Sequence, residues 1–394
     1  MPGDCKIDFG QPIGRRKQRK LSLSCREVVG GLCIAVGLVL TISSPALAQQ
    51  LGVQKPEPKP RSLGPVAVAP AVPIEITARP ISSFGRAGGV GNAGGRLTFI
   101  GGLVLASPNK DFGGWSGLIV SDDGRRLLTV SDRGHWLTAD LIYEAGRPMG
   151  VVNAKLGEIA GVGGQTLGRF RDRDTESLTL VDGTLAKGTV LVAFERNHRI
   201  GRFPVSERGL GAPLGYLKMP PDVRRISTNK GFESVAVLRG GPLKGAVIAF
   251  AEEYFDPARN HSGWIWPAGV GSDPQRLGLV NIADFAITDV ASLPDGSLLV
   301  LERKFRWTEG VKARIRLIRA TDIKPGALLD GEVLLDADMT AEIDNMEALA
   351  LSRNARGQTV LTLMSDDNFN SFLQRSLLLQ FTLADVPTTT KAKP

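Results

Sequence analysis

The sequence predicts an all-β protein: a β-propeller of five or six blades, six being favoured, closed by pairing of its N- and C-terminal strands. Three observations lead there. A unit of two strands and a turn recurs along the chain, and the first strand of the unit alternates small with large residues. An apolar segment ahead of the first unit also has a counterpart behind the last. Residues 174–195, DTESLTLVDGTLAKGTVLVAFE, display the unit most plainly: a carboxylate, an alternating strand, a turn, a second apolar strand and another carboxylate.

Counterparts begin at Trp115, Phe232, Thr288 and Met346. Aligning Ser116, Glu176, Glu233, Asp289 and Glu347 gives steps of 60, 57, 56 and 58 residues, a period closer to a propeller blade than to a helical repeat. After the aligned residue, small side chains (Ser177 and Thr179, Ser234 and Ala236, Ala348 and Ala350) alternate with Leu178 and Leu180, Val235 and Val237, Leu349 and Leu351. A small face opposite a large one suits innermost strands that converge on a narrow axis. Gly183, Gly240 and Gly296 fall seven residues after the aligned acid, and Gly124 eight after Ser116, where hairpin turns are expected. Residues 97–105 (LTFIGGLVL) and 376–383 (SLLLQFTL) read as the strands that close the ring and remove its open edges.

In chain order, the first 48 residues read as an export signal. Arg15, Arg16, Lys17, Arg19, Lys20 and Arg26 precede an apolar run over 28–42 and an Ala46-Leu47-Ala48 cleavage box. The run is short for a membrane span, so a cleaved signal is expected over an uncleaved anchor, leaving a periplasmic or secreted chain without a membrane span. All three cysteines (Cys5, Cys25, Cys33) lie in this leader, which excludes a disulfide framework and a thiolate metal site from the mature chain. The leader carries seven Lys or Arg against three Asp or Glu, so half of the net +8 leaves with it and no nucleic-acid partner is expected. Residues 49–73 form a Pro-rich linker, 74–385 one closed domain, and 386–394 a polar, disordered tail.

The second strand of each unit ends in an acid: Asp132, Glu195, Glu252, Glu302 and Asp366. Antiparallel pairing sets the end of the second strand beside the start of the first, so both aligned positions meet at one mouth of the propeller. Nine of those ten positions are carboxylates, Ser116 being the exception. Such crowding raises pKa values unless arginine or a bound cation offsets it. Asp132, Glu195, Glu252, Glu302, Asp366 and Asp367 are therefore candidate ligands of calcium, which takes six to eight oxygens. Arg133, Arg196 and Arg303 directly follow strand-ending acids, and with Lys230 they are candidates for gripping a small anionic substrate. Glu176, Glu233 and Glu347, with the loop histidines His135 and His198, are the candidates for acid–base work. His261 is the looser third of that histidine series. Structural roles compete for each acid: repeat acids also bond neighbouring backbone, and residues 366–370 (DDNFN) also suit an Asx turn. Gly114-Trp115-Ser116-Gly117 resembles part of a hydrolase nucleophile elbow, but Leu118 stands where the second glycine belongs.

Six ordered motifs carry a family resemblance: VSDRG at 130–134, DTESL at 174–178, GFESV at 231–235, LVLER at 299–303, NMEAL at 345–349 and SDDNFN at 365–370, followed by Gln374-Arg375. Over residues 74–383 the chain resembles the phytase-like domain proteins, labelled for an esterase-like activity of phytase and exported by bacteria. The family's usual Gly after the repeat Glu is replaced here by Ser177, Ser234 and Ala348, which keeps the position small. The resemblance implies hydrolysis of phosphate or carboxylate esters, with calcium binding a polyanionic inositol phosphate in related propellers. Three functions remain open: a metal-assisted phosphoesterase acting on esters such as phytate, a carboxylesterase, and a non-catalytic periplasmic binding or scaffold propeller.

Overall fold

The computed structural model describes residues 68–85, 95–370 and 372–384. The expected export signal, linker residues 49–67 and the tail lie outside them. Each repeat unit forms the two innermost strands of one blade, and the chain then continues outward through the remaining strands. Blade 1 runs Trp115–Val120, Arg126–Ser131, His135–Glu144 and Arg147–Glu158, with Val72–Pro73 from the end of the expected linker added at its edge. Pro73 has no N–H to donate, and an edge position tolerates that. Blade 2 begins Thr175–Thr184, Lys187–Phe194 and Arg199–Ser206; blade 3 begins Phe232–Val237, Val247–Phe255 and His261–Trp266. Blade 4 is Ala286–Ser292, Leu298–Arg306, Gly310–Ile318 and Glu332–Ala337.

Blade 5 combines Met346–Arg353, Thr359–Ser365 and Ser376–Leu383 with Leu97–Ala106 and Thr77–Ile81 from the other end of the chain. The closing pair is antiparallel, from Ser376 opposite Leu105 to Leu383 opposite Leu97. The ring thus has five blades, the lower of the two numbers the sequence allowed. The terminal strands complete the fifth unit's own sheet instead of founding a sixth.

The five inner strands stand beside one another around a single axis. Between each pair of neighbouring blades lies one apolar core, five in all among the described residues. Each blade is therefore buried on both faces, and its second strand reads as continuous apolar sequence, such as VLVAF at 190–194. Near the axis, space is short: a Cβ at Gly117 would stand 2.8 Å from the Leu178 amide nitrogen. Among the described residues no helix is long and apolar enough to cross a membrane.

Candidate functional site at the acidic mouth

In every blade the first strand carries a β-bulge at the same place: between Trp115 and Gly117, Thr175 and Ser177, Phe232 and Ser234, Ile287 and Asp289, and Met346 and Ala348. A bulge leaves one residue out of the ladder and re-aims its side chain. Those residues are Ser116, Glu176, Glu233, Thr288 and Glu347. The fourth blade thus corrects the sequence alignment by one position, for Thr288, not Asp289, is equivalent to the repeat glutamates.

The same offset passes to the partner strand. Asp132, Glu195, Glu252 and Asp366 donate their backbone N–H to Gly114, Asp174, Gly231 and Asn345, just outside each bulge. In blade 4 that place belongs to Arg303, paired with Ala286, while Glu302 pairs with Ile287 one step inward. A shift of one residue turns a strand side chain to the opposite face. Seven of the ten mouth positions are therefore carboxylates, and blade 4 contributes an arginine. Glu302, expected as a metal ligand, instead faces Arg316: both side chains are fully buried, with Arg316 Nε 2.8 Å from Glu302 Oε2 and a second contact through Nη2. Asp289 lies on the floor below, where its oxygens accept from Ser177 Oγ (2.8 Å) and from the Val290 and Leu349 amides (2.9 and 2.8 Å). Burial holds its carboxyl well above the usual range, and Ser177 in turn accepts from the Val235 amide, so the floor ties four inner strands together.

Above this floor the acids form a bowl. Oxygens of Asp174, Glu176 and Glu195 lie within 4.8 Å of one another, and so do those of Glu195, Glu233 and Glu252; Glu195 belongs to both triads. Asp174 was not among the residues the sequence nominated. All five are buried. Burial, then the neighbouring carboxylates, push Glu176 and Glu233 well above the usual carboxylate range. Burial also raises Glu195 to about 7, with Asp174 adding to the shift. Glu347 likewise stands at about 7 through burial, although Arg303 pulls it down. Across the bowl, burial lifts Asp132 to about 6 and Asp366 well above its ordinary value.

The cations at the mouth are fewer than the acids. Arg303 reaches Glu347 (3.1 Å) and Glu252 (3.3 Å), and Lys230 holds Glu252 (2.8 Å) and Glu253 (2.9 Å). Arg196 pairs with Asp174. Arg133 makes no ion pair among the described residues; its guanidinium lies 3.3 Å over the Phe369 ring at the exposed rim. Two carboxylate oxygens are buried with no hydrogen-bond partner, Glu347 Oε2 and Asp174 Oδ2, the second facing Arg196 in the ion pair. Asp367 is different, because its Oδ1 accepts from the Gly114 and Phe369 amides (both 3.1 Å) and its Oδ2 from Ser376 Oγ (3.0 Å). Asp366 Oδ1 accepts from the Asn368 amide at 2.6 Å. The DDNFN segment is an Asx-turn pair that leaves Asp366 facing the bowl and commits Asp367 to the loop.

The family model described as "Phytase-like: Esterase-like activity of phytase" matches residues 110–369. The chain belongs to this family. The matched span of this phytase-like propeller contains every bowl carboxylate and Arg303, and leaves the closing strands outside. Solved structures similar to it include the crystal structure of endo-arabinase from Bacteroides thetaiotaomicron VPI-5482, at 10% identity and TM-score 0.43, covering 71% of this chain and 97% of that one. Another is the structure of U3-55K, at 10% identity and TM-score 0.34, covering 72% and 98%. No curated protein matches the chain.

None of the histidines of this phytase-like chain belongs to either carboxylate triad. His198 sets Nε2 3.4 Å from the Ile226 carbonyl, and burial lowers its pKa. Burial also lowers His135, and the charges acting on it are Asp111, Glu158, Arg173 and Arg133. His261 is fully buried, with burial holding it near 4. Ser116 is buried too, its Oγ 3.4 Å from the Gly114 carbonyl, and among the described residues no histidine contacts it.

Proposed function

We propose that this phytase-like propeller is an exported phosphoesterase whose acidic bowl holds divalent cations, calcium first among them. The observation that carries the reading is the pair of carboxylate triads sharing Glu195. An all-oxygen donor set without cysteine or histidine suits a hard cation. The donors also fit the charge: Glu176, Glu195 and Glu233 crowd together beyond what Arg303, Arg196 and Lys230 offset, and Glu347 Oε2 lacks a partner. Asp174, Glu176, Glu195, Glu233 and Glu252 would hold the ions, with Glu347, Asp366 and Asp132 completing the bowl. A bound cation supplies charge neutralisation for the phosphate and activation of water.

The chain's own residues do the rest. Arg133, stacked on Phe369 and free of an ion pair among the described residues, is the cation at the rim best able to donate to a phosphate oxygen. Arg303 stays fixed between Glu252 and Glu347 and presents positive charge at the bowl's edge. In the ion-free chain Glu195 and Glu347 are raised to about 7, so uptake of the cation is expected to displace protons from them near neutrality. The buried Ser116 gives the carboxylesterase alternative no nucleophile with a base. The binding-propeller alternative draws on Asp289, Glu302 and Asp367, whose oxygens are wholly engaged by the protein.

The test is phosphate release from phytate and from phenyl phosphate by the purified chain, with calcium and then with chelator, beside a folded Glu176→Gln/Glu233→Gln variant. Calcium-dependent release that disappears in the variant supports the reading. A folded protein that releases no phosphate with calcium moves the assignment to the binding propeller.

A further inference from the structure

Next to the bowl the chain exposes apolar surface that the acid cluster does not use. Strand Leu298–Arg306 runs past the mouth, and its period of two sets Arg303 and Phe305 on one side, with Trp307 following in the turn. Phe305 is 57% exposed and Trp307 92%. Opposite them, the segment that starts with Asp366 and Asp367 reaches out to Phe372, 93% exposed, and Leu373, 72% exposed. Between the two walls lies a groove of about 780 Å³, which Arg303, Asn345 and Arg375 also line. That volume falls within the range of small-molecule sites. The contrast with the rest of the chain is sharp: the other four tryptophans, Trp115, Trp136, Trp264 and Trp266, are all 1% exposed or less.

We propose that this groove is the subsite for the organic group of the substrate, and that the group is a flat aromatic or heteroaromatic ring carried on a phosphate monoester. The proposal rests on the phosphoesterase reading of the bowl and narrows it. Continuity is the first argument, because both walls extend segments that supply bowl residues, and Arg303 belongs to groove and bowl alike. Chemistry is the second. Aromatic walls reward a ring that stacks, while Arg303, Asn345 and Gln374 offer donors to the anionic end. A ring seated between Trp307 and Phe372 would leave its phosphate at Arg303, over the bowl's edge. Phytate, with charge on every side, has no flat apolar face for these walls.

Trp307 is the sole exposed tryptophan, so its fluorescence reports occupancy whether or not turnover occurs. Titrating the calcium-loaded chain with phenyl phosphate, excited selectively at tryptophan, is expected to give a saturable blue shift that glycerol phosphate and phytate do not. Phe372→Ala, which removes an exposed side chain and leaves the fold intact, is expected to raise the half-saturating concentration about tenfold. Where phosphate is released, Trp307→Ala and Phe372→Ala should raise KM for phenyl phosphate and leave kcat, and KM for glycerol phosphate, unchanged. The two readings fail separately. Saturation that depends on Phe372 without any release keeps the groove and removes the phosphoesterase. Release from phenyl and glycerol phosphates with equal KM, insensitive to Phe372→Ala, keeps the phosphoesterase and overturns the groove. An unchanged Trp307 spectrum with phenyl phosphate overturns the groove as well.

Discussion

Glu195 and Glu302 look interchangeable in the sequence: each ends the second strand of a repeat, each is followed by arginine, and both are buried. They lead opposite lives. Glu195 faces the bowl and belongs to both carboxylate triads, whereas Glu302 faces away and is clasped by Arg316. Blade 4 is displaced by one residue at this level, and the pleat converts that step into a change of face. A carboxylate sealed with its arginine is part of the framework; one gathered with like charges is under strain that a ligand can relieve. The propeller carries both, on equivalent strands.

The largest effect expected from this contrast is on stability. Arg316→Ala leaves Glu302 buried without its counter-charge and should cost about 3–5 kcal/mol in denaturant unfolding, with calcium affinity unchanged. A loss of calcium binding in a folded Arg316→Ala protein would break the distinction. Glu195→Gln should act in the other direction. It removes the shared donor of both triads and is expected to weaken calcium binding by at least ~100-fold while stabilising the calcium-free protein by roughly 1 kcal/mol.

The pH dependence follows from the same crowding. Asp132, Glu195 and Glu347 have folded-state pKa values raised to about 6, 7 and 7. A group raised in the folded state binds its proton more tightly there, so its contribution is complete below the unfolded pKa and is lost as pH rises through the folded one. The calcium-free chain should therefore lose thermal stability between about pH 5 and pH 8, and calcium should restore more of it at the upper end. A calcium-induced rise in Tm that is no larger at the upper end would contradict that sign. The smallest expected effect is at His135, outside the bowl: His135→Gln should shift calcium affinity by less than about twofold.

Much of this architecture was legible in the residues, and the parts that were not arise only when the strands are set side by side. The repeat, the hairpins and the closing strands at 97–105 and 376–383 could be read because apolar alternation and turn glycines mark them directly. Blade number could not, since a strand carries no sign of whether it completes a sheet or begins one. The bulge was hidden as well. It adds one residue to a strand without altering its composition, and the turn glycines misdirect: Gly296 falls seven residues after Asp289, as Gly183 and Gly240 do after Glu176 and Glu233, although it also falls eight after Thr288, as Gly124 does after Ser116. Asp174 was overlooked although it opens the DTESL motif, because its blade equivalents are Gly114, Gly231, Ala286 and Asn345, so no repeat draws attention to it. The outward-facing aromatics at 305, 307 and 372 form no pattern in the repeat and are gathered only by the fold.

The most direct measurement is calorimetric titration of calcium into the chelator-stripped chain, repeated on Glu195→Gln. The account predicts saturable binding of two ions, one for each triad that shares Glu195, reduced in the variant to weak or undetectable binding. A folded chain that takes up no calcium, or a Glu195→Gln variant that binds it as tightly as the parent, would contradict the reading of the bowl as a cation site.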